Sequence, residues 1–303
     1  MPTATYSVQS YERAANFFDT QMVQPLRQML IGRQVIAKTT PLPEGKYSVD
    51  YNKLTDMSAA SISRGVPDVA AMFRDEVRID RQNLQLLTAL KGYVIPKQEF
   101  DAFMSIGQPL DAAMMVSAAQ KVGEREDHFL LQGWNNDGST YDQYGLYQQA
   151  NANGLVSGSS FSTFGGAVAS IEKGIKQLLQ NYVRGVNFNL VLNFAEFMTL
   201  QGSLSTLGVE ELPLALKRLN IAPTNPAKGN IFYSPEIAAG TGLLVPVDTE
   251  GLYLDLVVAQ DYANDVGVDS KIPKISPIYG TTYLVEALRI KQPTSIIGLS
   301  GIA

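Results

Sequence analysis

The chain has 303 residues, 45% of them apolar and 17% charged, which is enough for one large or two modest domains and excludes a disordered polypeptide. A net charge of -5 without any basic run excludes phosphate-backbone binding, which draws on clustered Lys and Arg, and the lack of cysteine excludes disulfides and thiolate metal sites. The N-terminus, MPTATYSVQSYERAANFFDT, has neither the basic start nor the apolar core of a secretion signal, and no apolar run approaches the ~20 residues that span a bilayer, so a soluble, cytoplasmic protein or particle subunit is expected.

Tyr11, Ala14, Ala15, Phe18, Met22, Leu26, Met29 and Leu30 recur at helical spacing, so residues 9–31 read as an amphipathic helix or helix pair broken at Pro25 and ended by Gly32. Residues 46–54 alternate, with Tyr47, Val49 and Tyr51 on one face; a second alternating run sets Val77 and Ile79 against Arg78 and Asp80. The two make a long hairpin. A lone hairpin is marginal in water, so this one should rest on a larger sheet or on a neighbouring subunit.

Residues 110–132 form a long helix of small residues that turns acidic at Glu124, Glu126 and Asp127 and apolar at Phe129 to Leu131, stopping at Gly133. Trp134 either packs beside the end of that helix or anchors a neighbouring subunit, since tryptophan is enriched in interface hot spots. The segment GSTYDQYGLYQQANANGLVSGSS reads as surface loop; Tyr141, Tyr144 and Tyr147 within it are at helical spacing. Phe164, Val168, Ile171, Ile175, Leu178 and Tyr182 then fall at steps of four and three, a helix with Ser162 or Thr163 as N-cap and Gly185 beyond its end. A short strand (187–193), a short helix (194–200), a helix over 209–219 and strands at 231–233, 243–247, 252–258 and 282–290 complete an α+β pattern without internal repeat.

Little in the chain suggests chemistry. His128, the only histidine, would share a helical face with Glu124, yet a lone histidine among exposed charges is ordinarily solvated or a local hydrogen-bond partner, and Lys121 with Glu124 simply supports the helix. Asp255, Asp261, Asp265 and Asp269 lack the spacing of a calcium loop and read instead as ion-pair partners at subunit boundaries. Gly240 and Gly242 precede a strand rather than a helix, against a phosphate loop, and Ser157 to Ser160 have no triad partners. No catalytic residue, cofactor or metal is expected.

The order of these pieces carries more than any one of them: IGRQVIA, the alternating hairpin, a helix ending EREDHFLLQG, a Gly-rich loop, an amphipathic helix, FNLVLN, LDLVVAQDYANDVGV and YLVEALRIKQP. Together they resemble the Hong Kong 97-type shell subunits, the fold shared by tailed-virus major capsid proteins and encapsulins. The resemblance covers nearly the whole chain. It implies an N-terminal arm (1–45), an extended loop (46–81), a peripheral domain (82–189 and 266–303) with the long helix as spine, and an axial domain (190–265). Tyr47, Val49, Tyr51, Val77, Ile79 and Trp134 are the inter-subunit contacts it suggests.

The chain departs from encapsulins in its longer extended loop and in AKTTPLPEGKY, where they commonly carry a Gly-Pro-rich turn with a tryptophan. That favours a viral major capsid protein assembling into pentamers and hexamers of an icosahedral head, with scaffold and portal proteins as further partners and nucleic acid enclosed rather than bound. An encapsulin shell around a cargo enzyme is the alternative. A tail component and a small acid-base or metal enzyme using Glu124 and His128 are weaker readings.

Overall fold

The computed structural model describes residues 30–54, 79–105, 110–135, 142–222, 225–268 and 277–303. A one-turn helix α1 (Gly32–Val35) and strand β1 (Thr39–Pro41) lead into the hairpin β2 (Ser48–Leu54) and β3 (Ile79–Gln85). Next come β4 (Leu87–Ile95), α2 (Lys97–Ser105), the long α3 (Leu110–Gln132), the small pair β5 (Gly133–Trp134) and β6 (Gln143–Tyr144), α4 (Leu146–Asn153), β7 (Leu155–Ser157) and α5 (Gly166–Gln180). The rest is β8 (Asn187–Leu192), α6 (Phe194–Gly202), α7 (Glu211–Leu219), β9 (Ile231–Tyr233), β10 (Thr241–Val247), β11 (Leu254–Val268), β12 (Ile278–Ile290) and β13 (Ile297–Ser300). The expected arm helix, the hairpin's connecting loop, Val77 and Tyr141 lie outside the described residues.

Two sheets organise these elements. In the four-stranded sheet, β1-β11-β12-β4, only β1 runs parallel to its neighbour; in the five-stranded sheet, β7-β13-β10-β8-β9, the edge strands β7 and β9 are the parallel ones. Helix α3 covers one face of the first sheet, packing Phe129, Leu130 and Leu131 with Leu256, Val258 and Leu288, and the same core continues to Val191, Leu243 and Val245 on the second sheet. On the far face of the second sheet Ile171, Ile175 and Leu178 of α5 and Ala215 and Leu219 of α7 bury against Phe188, Leu190, Leu244 and Leu299. Each large aliphatic side chain so buried contributes roughly 1.5–3 kcal/mol.

Strand β8 lies between β10 and β9 and is buried along its whole length. Its asparagines are therefore structural: Asn189 donates to the Val35 carbonyl (3.0 Å) and accepts from the Asn230 amide (2.9 Å), while Asn187 bonds Ala227 and Ala222. Burial of such amides is tolerated only with partners on both ends.

Four local expectations change. Gly32, expected to close the arm helix, opens α1, where a Cβ would press on Leu130 and on Asp127, whose Oδ1 accepts the Ile31 amide at 2.8 Å and the Gly32 amide at 2.5 Å. The stretch read as surface loop folds into α4 and β7, with Leu146, Tyr147 and Ala150 buried, because three apolar positions one turn apart suffice when a core is at hand. Neither Ser162 nor Thr163 caps α5; the N-cap is Gly165 in the left-handed region, and the cap is the buried Glu211 carboxylate of α7, which accepts the Ala167 and Val168 amides at 2.9 and 3.1 Å. Tyr182 is not on the helical stripe but beyond it, exposed and at φ 63°. Strands β4 and β13 and helix α2 were not anticipated.

Glu211→Ala should destabilise the chain by about 3 kcal/mol, since it strands two amides and the Ser203 hydroxyl that donates to Oε2, with Glu211→Gln costing less. Chemical denaturation followed by far-UV circular dichroism measures this, and a loss below ~0.5 kcal/mol would show the cap to be idle. Asp127→Ala should raise hydrogen exchange at the Ile31 and Gly32 amides at least ~10-fold while leaving α5 protected; unchanged exchange there would mean α1 is held by packing alone.

Candidate assembly surfaces

The described part of the hairpin is rooted on its own chain. Strands β2 and β3 pair from Ser48 opposite Gln85 to Leu54 opposite Ile79. At the root, Val49 and Leu84 pack on Leu86, Val257, Ala259 and Ala287, on the face of the four-stranded sheet turned away from α3. The Arg289 guanidinium lies 5.6 Å from the Tyr51 ring centre and grips Asp255 with two bonds of 2.8 and 2.5 Å; Thr40 adds a third donor at 2.7 Å and Lys291 stands 3.7 Å away. Burial would lift the Asp255 carboxyl, but Arg289, Thr40 and Lys291 outweigh it and hold Asp255 below the usual carboxylate range. Asp50, exposed on the hairpin, is likewise lowered by Asn83 and Arg81.

Past the root, that same sheet face carries exposed apolar side chains. Val94 pairs Tyr279 and Leu90 pairs Tyr283, directly opposite across β4 and β12, so the four side chains share one face. Leu90 is 64% exposed, and Val94 and Tyr279 about half. Further exposed apolar side chains are Phe194 and Met198 on α6 and, in the α6–α7 loop, Leu204 and Val209 on either side of Leu207, which is 90% exposed. Soluble monomers rarely expose apolar groups in such runs, which mark interaction sites.

The residues singled out from sequence thus separate. Val49 and Tyr51 spend their buried area on the chain's own sheet; Tyr47 is 75% exposed at the root and Ile79 66% exposed at the start of β3. Trp134, half-buried against the core beside the end of α3, walls two cavities of about 250 and 380 Å³, the first also lined by Leu87, Phe129, Leu284 and Glu286. His128 finds its partner outside its helix, with Nδ1 2.7 Å from Glu236, and Lys121 bonds Glu124 at 2.6 Å. Asp255 and Asp261 form their ion pairs within the chain, correcting the expectation of partners across a boundary; the folded sheet brings Arg289 and Arg33 to them. Gly240 is a turn at φ 73° and Gly242 a strand residue. Among the described residues no three His, Asp or Glu side chains converge as a metal site, and no helix is long and apolar enough to cross a membrane.

Sequence reading missed the charge cluster where α1 meets α3. Arg33 donates from Nε to Glu126 and from Nη2 to Glu286 (3.1 Å), with Nη1 3.0 Å from Asp261, and the Tyr262 hydroxyl donates to Glu126. Burial opposes the Arg33 charge, but Glu126, Glu286 and Asp261 more than compensate and raise it; burial and the Glu126 carboxylate raise the Tyr262 phenol. Asp127 is raised chiefly by burial, against the pull of the Gly32 and Ile31 amides. The acidic pair Glu126–Asp127 was the one visible trace of all this.

The architecture matches solved shells along almost its full length. It is similar to the capsid of Myoviridae phage XM1 (TM-score 0.67, 12% identity, 96% of this chain and 98% of that one), to the capsid of a native GTA particle (0.63, 14%, 99% and 100%) and to a virus-like particle from Pyrococcus furiosus (0.57, 15%, 90% and 92%). At these identities the likeness establishes the Hong Kong 97-type fold and no more. Among curated protein sequences none matches. The model of the Linocin_M18 family, described as encapsulating protein for peroxidase, matches residues 11–267. This overturns the expected viral major capsid protein, its virion location and its scaffold and portal partners: the longer extended loop and the missing tryptophan turn, which favoured a virus, are local departures outweighed by a match that long. The chain belongs to the family of encapsulating proteins for peroxidase, whose members are structural shell subunits and not enzymes.

Proposed function

We propose that copies of this chain close by themselves into an encapsulin-type compartment around a peroxidase-class enzyme. The observation that carries the reading is the family match over residues 11–267. The net charge of -5 without a basic run supports a protein rather than a nucleic-acid interior. The rooted hairpin and the exposed apolar sheet face beside it suit mutual contacts between copies, with Ile79 and Tyr47 on the hairpin and Leu90, Val94 and Tyr279 on the sheet offering apolar area to a neighbour. Many modest contacts made at once are sufficient to hold a closed shell.

We assign the peripheral role to α3 and the four-stranded sheet, and the axial role to the five-stranded sheet with α5, α6 and α7. Separate apolar cores on the outer faces of the two sheets support this division. It redraws the boundaries inferred from the resemblance, since β13 joins the axial sheet and β11 the peripheral one.

Expressed alone, the chain should give uniform closed particles in negative-stain images and sediment as one large species, with an absorbance ratio typical of protein. Co-expressed peroxidase from the same gene neighbourhood should co-purify inside. Ile79→Asp combined with Leu90→Asp should leave folded subunits that assemble poorly, as charge at a desolvated contact costs a few kcal/mol. A well-folded monomer persisting at high concentration, or particles that form only with an added scaffold protein, would refute the reading.

A further inference from the structure

Two nearly dry carboxylates, Glu126 on α3 and Glu286 on β12, share the guanidinium of Arg33; their side chains are 5% and 3% exposed. Glu126 has both oxygens served, Oε1 by Arg33 and Oε2 by the Tyr262 hydroxyl. Glu286 has Arg33 on Oε2 alone, while its buried Oε1 meets no partner. One guanidinium already divided among three acids does not neutralise two buried anions, and an uncompensated buried charge costs several kcal/mol. A proton relieves this, and it belongs on the carboxyl with fewer donors.

Among the described residues, no side chain donates to the Glu286 Oε1. Arg33 faces it from α1; Glu126 faces it from α3, with Arg125 lining the same cavity; Asp261 and Tyr262 come from β11. Strand β4 presents Leu87, Thr88 and Ala89, which do not titrate. On the other side of α3, His128 and Glu236 pair with each other, and Asp127 is turned to the α1 amides. Burial first, then the Glu126 charge, push the Glu286 carboxyl up to about 8 against the pull of Arg33.

We propose that Glu286 is a proton-held latch: with its proton in place it closes the junction of α1, α3 and β12, and loss of that proton opens the junction and releases the α1 end of the chain. The sign follows from the direction of the shift. A carboxyl raised in the closed junction and ordinary in the open one stabilises closure fully in acid, and this stabilisation fades as pH rises toward and through about 8. Mild alkali, not acid, undoes the latch. The junction lies within one chain, so the inference does not rest on shell closure.

Hydrogen exchange at residues 31–35, divided by the intrinsic rate at each pH, tests it on the full chain between ~pH 6 and ~pH 9. Wild-type protection should fall by roughly tenfold or more across that range, whereas Glu286→Gln and Glu126→Gln should change less than ~2-fold, the second because Arg33 then serves Glu286 without a buried rival. Infrared spectra at neutral pH should show a protonated-carboxyl band in wild type that Glu286→Gln lacks. Parallel profiles for wild type and either variant, or a band that survives Glu286→Gln, would overturn the latch; if Glu286→Gln does not fold, the Glu126→Gln profile and the wild-type band decide alone.

Discussion

The C-terminal half of α3 must satisfy three neighbours at once, and the rest of the fold is arranged around how it does so. Consecutive helical residues point about 100° apart, so Glu126, Asp127 and His128 face three directions. Each has a partner there: Arg33 and Tyr262 for Glu126, the amides of α1 for Asp127, Glu236 for His128. Phe129, Leu130 and Leu131 then fill the shared core between the two sheets. A helix so fully committed is a rigid reference from which both sheets take their positions. Gly133, at φ 91° and against the backbone of Gln143 and Gly145, ends it where no side chain would fit.

From that reference the chain distributes cover unevenly. The four-stranded sheet is sealed on one face by α3 and on part of the other by the hairpin root, which Arg289, Asp255 and Thr40 fix in place. The remainder of that face is left to Leu90, Val94 and Tyr279. On the second body, α6 likewise leaves Phe194 and Met198 exposed. The family match makes the chain a shell subunit whose surfaces serve enclosure.

What could be seen in the sequence followed periodicity. The small-to-acidic-to-apolar run of α3, the stripe through Ile171, Ile175 and Leu178, and the paired alternation of the hairpin all survive as helices and strands because one buried face imposes a repeat of about 3.6 or 2. Helix α4 was hidden because its apolar positions are few and its neighbours are Gly, Ser and Asn. Strand β4 was passed over because its exposed Leu90 and Val94 dilute the alternation that burial would have enforced. The cap of α5 was unreadable in principle, since Glu211 lies 44 residues from Ala167 and only the packing of α7 against α5 brings them together.

By itself the sequence determined a cysteine-free α+β chain with a spine-like helix and an outlying hairpin, and the order of its pieces determined the Hong Kong 97-type fold. The choice between virus and compartment lay in the sequence taken over residues 11–267, as the family match shows, and not in loop length or a single missing turn, which are weakly constrained by folding. Only the tertiary structure decided which polar groups meet: Arg33 and Glu286 are 253 residues apart, Ile31 and Asp127 96 apart. Contacts at such separation leave no periodic mark, since a charge needs a partner only where folding removes water, and that place is set by the packing of the whole chain.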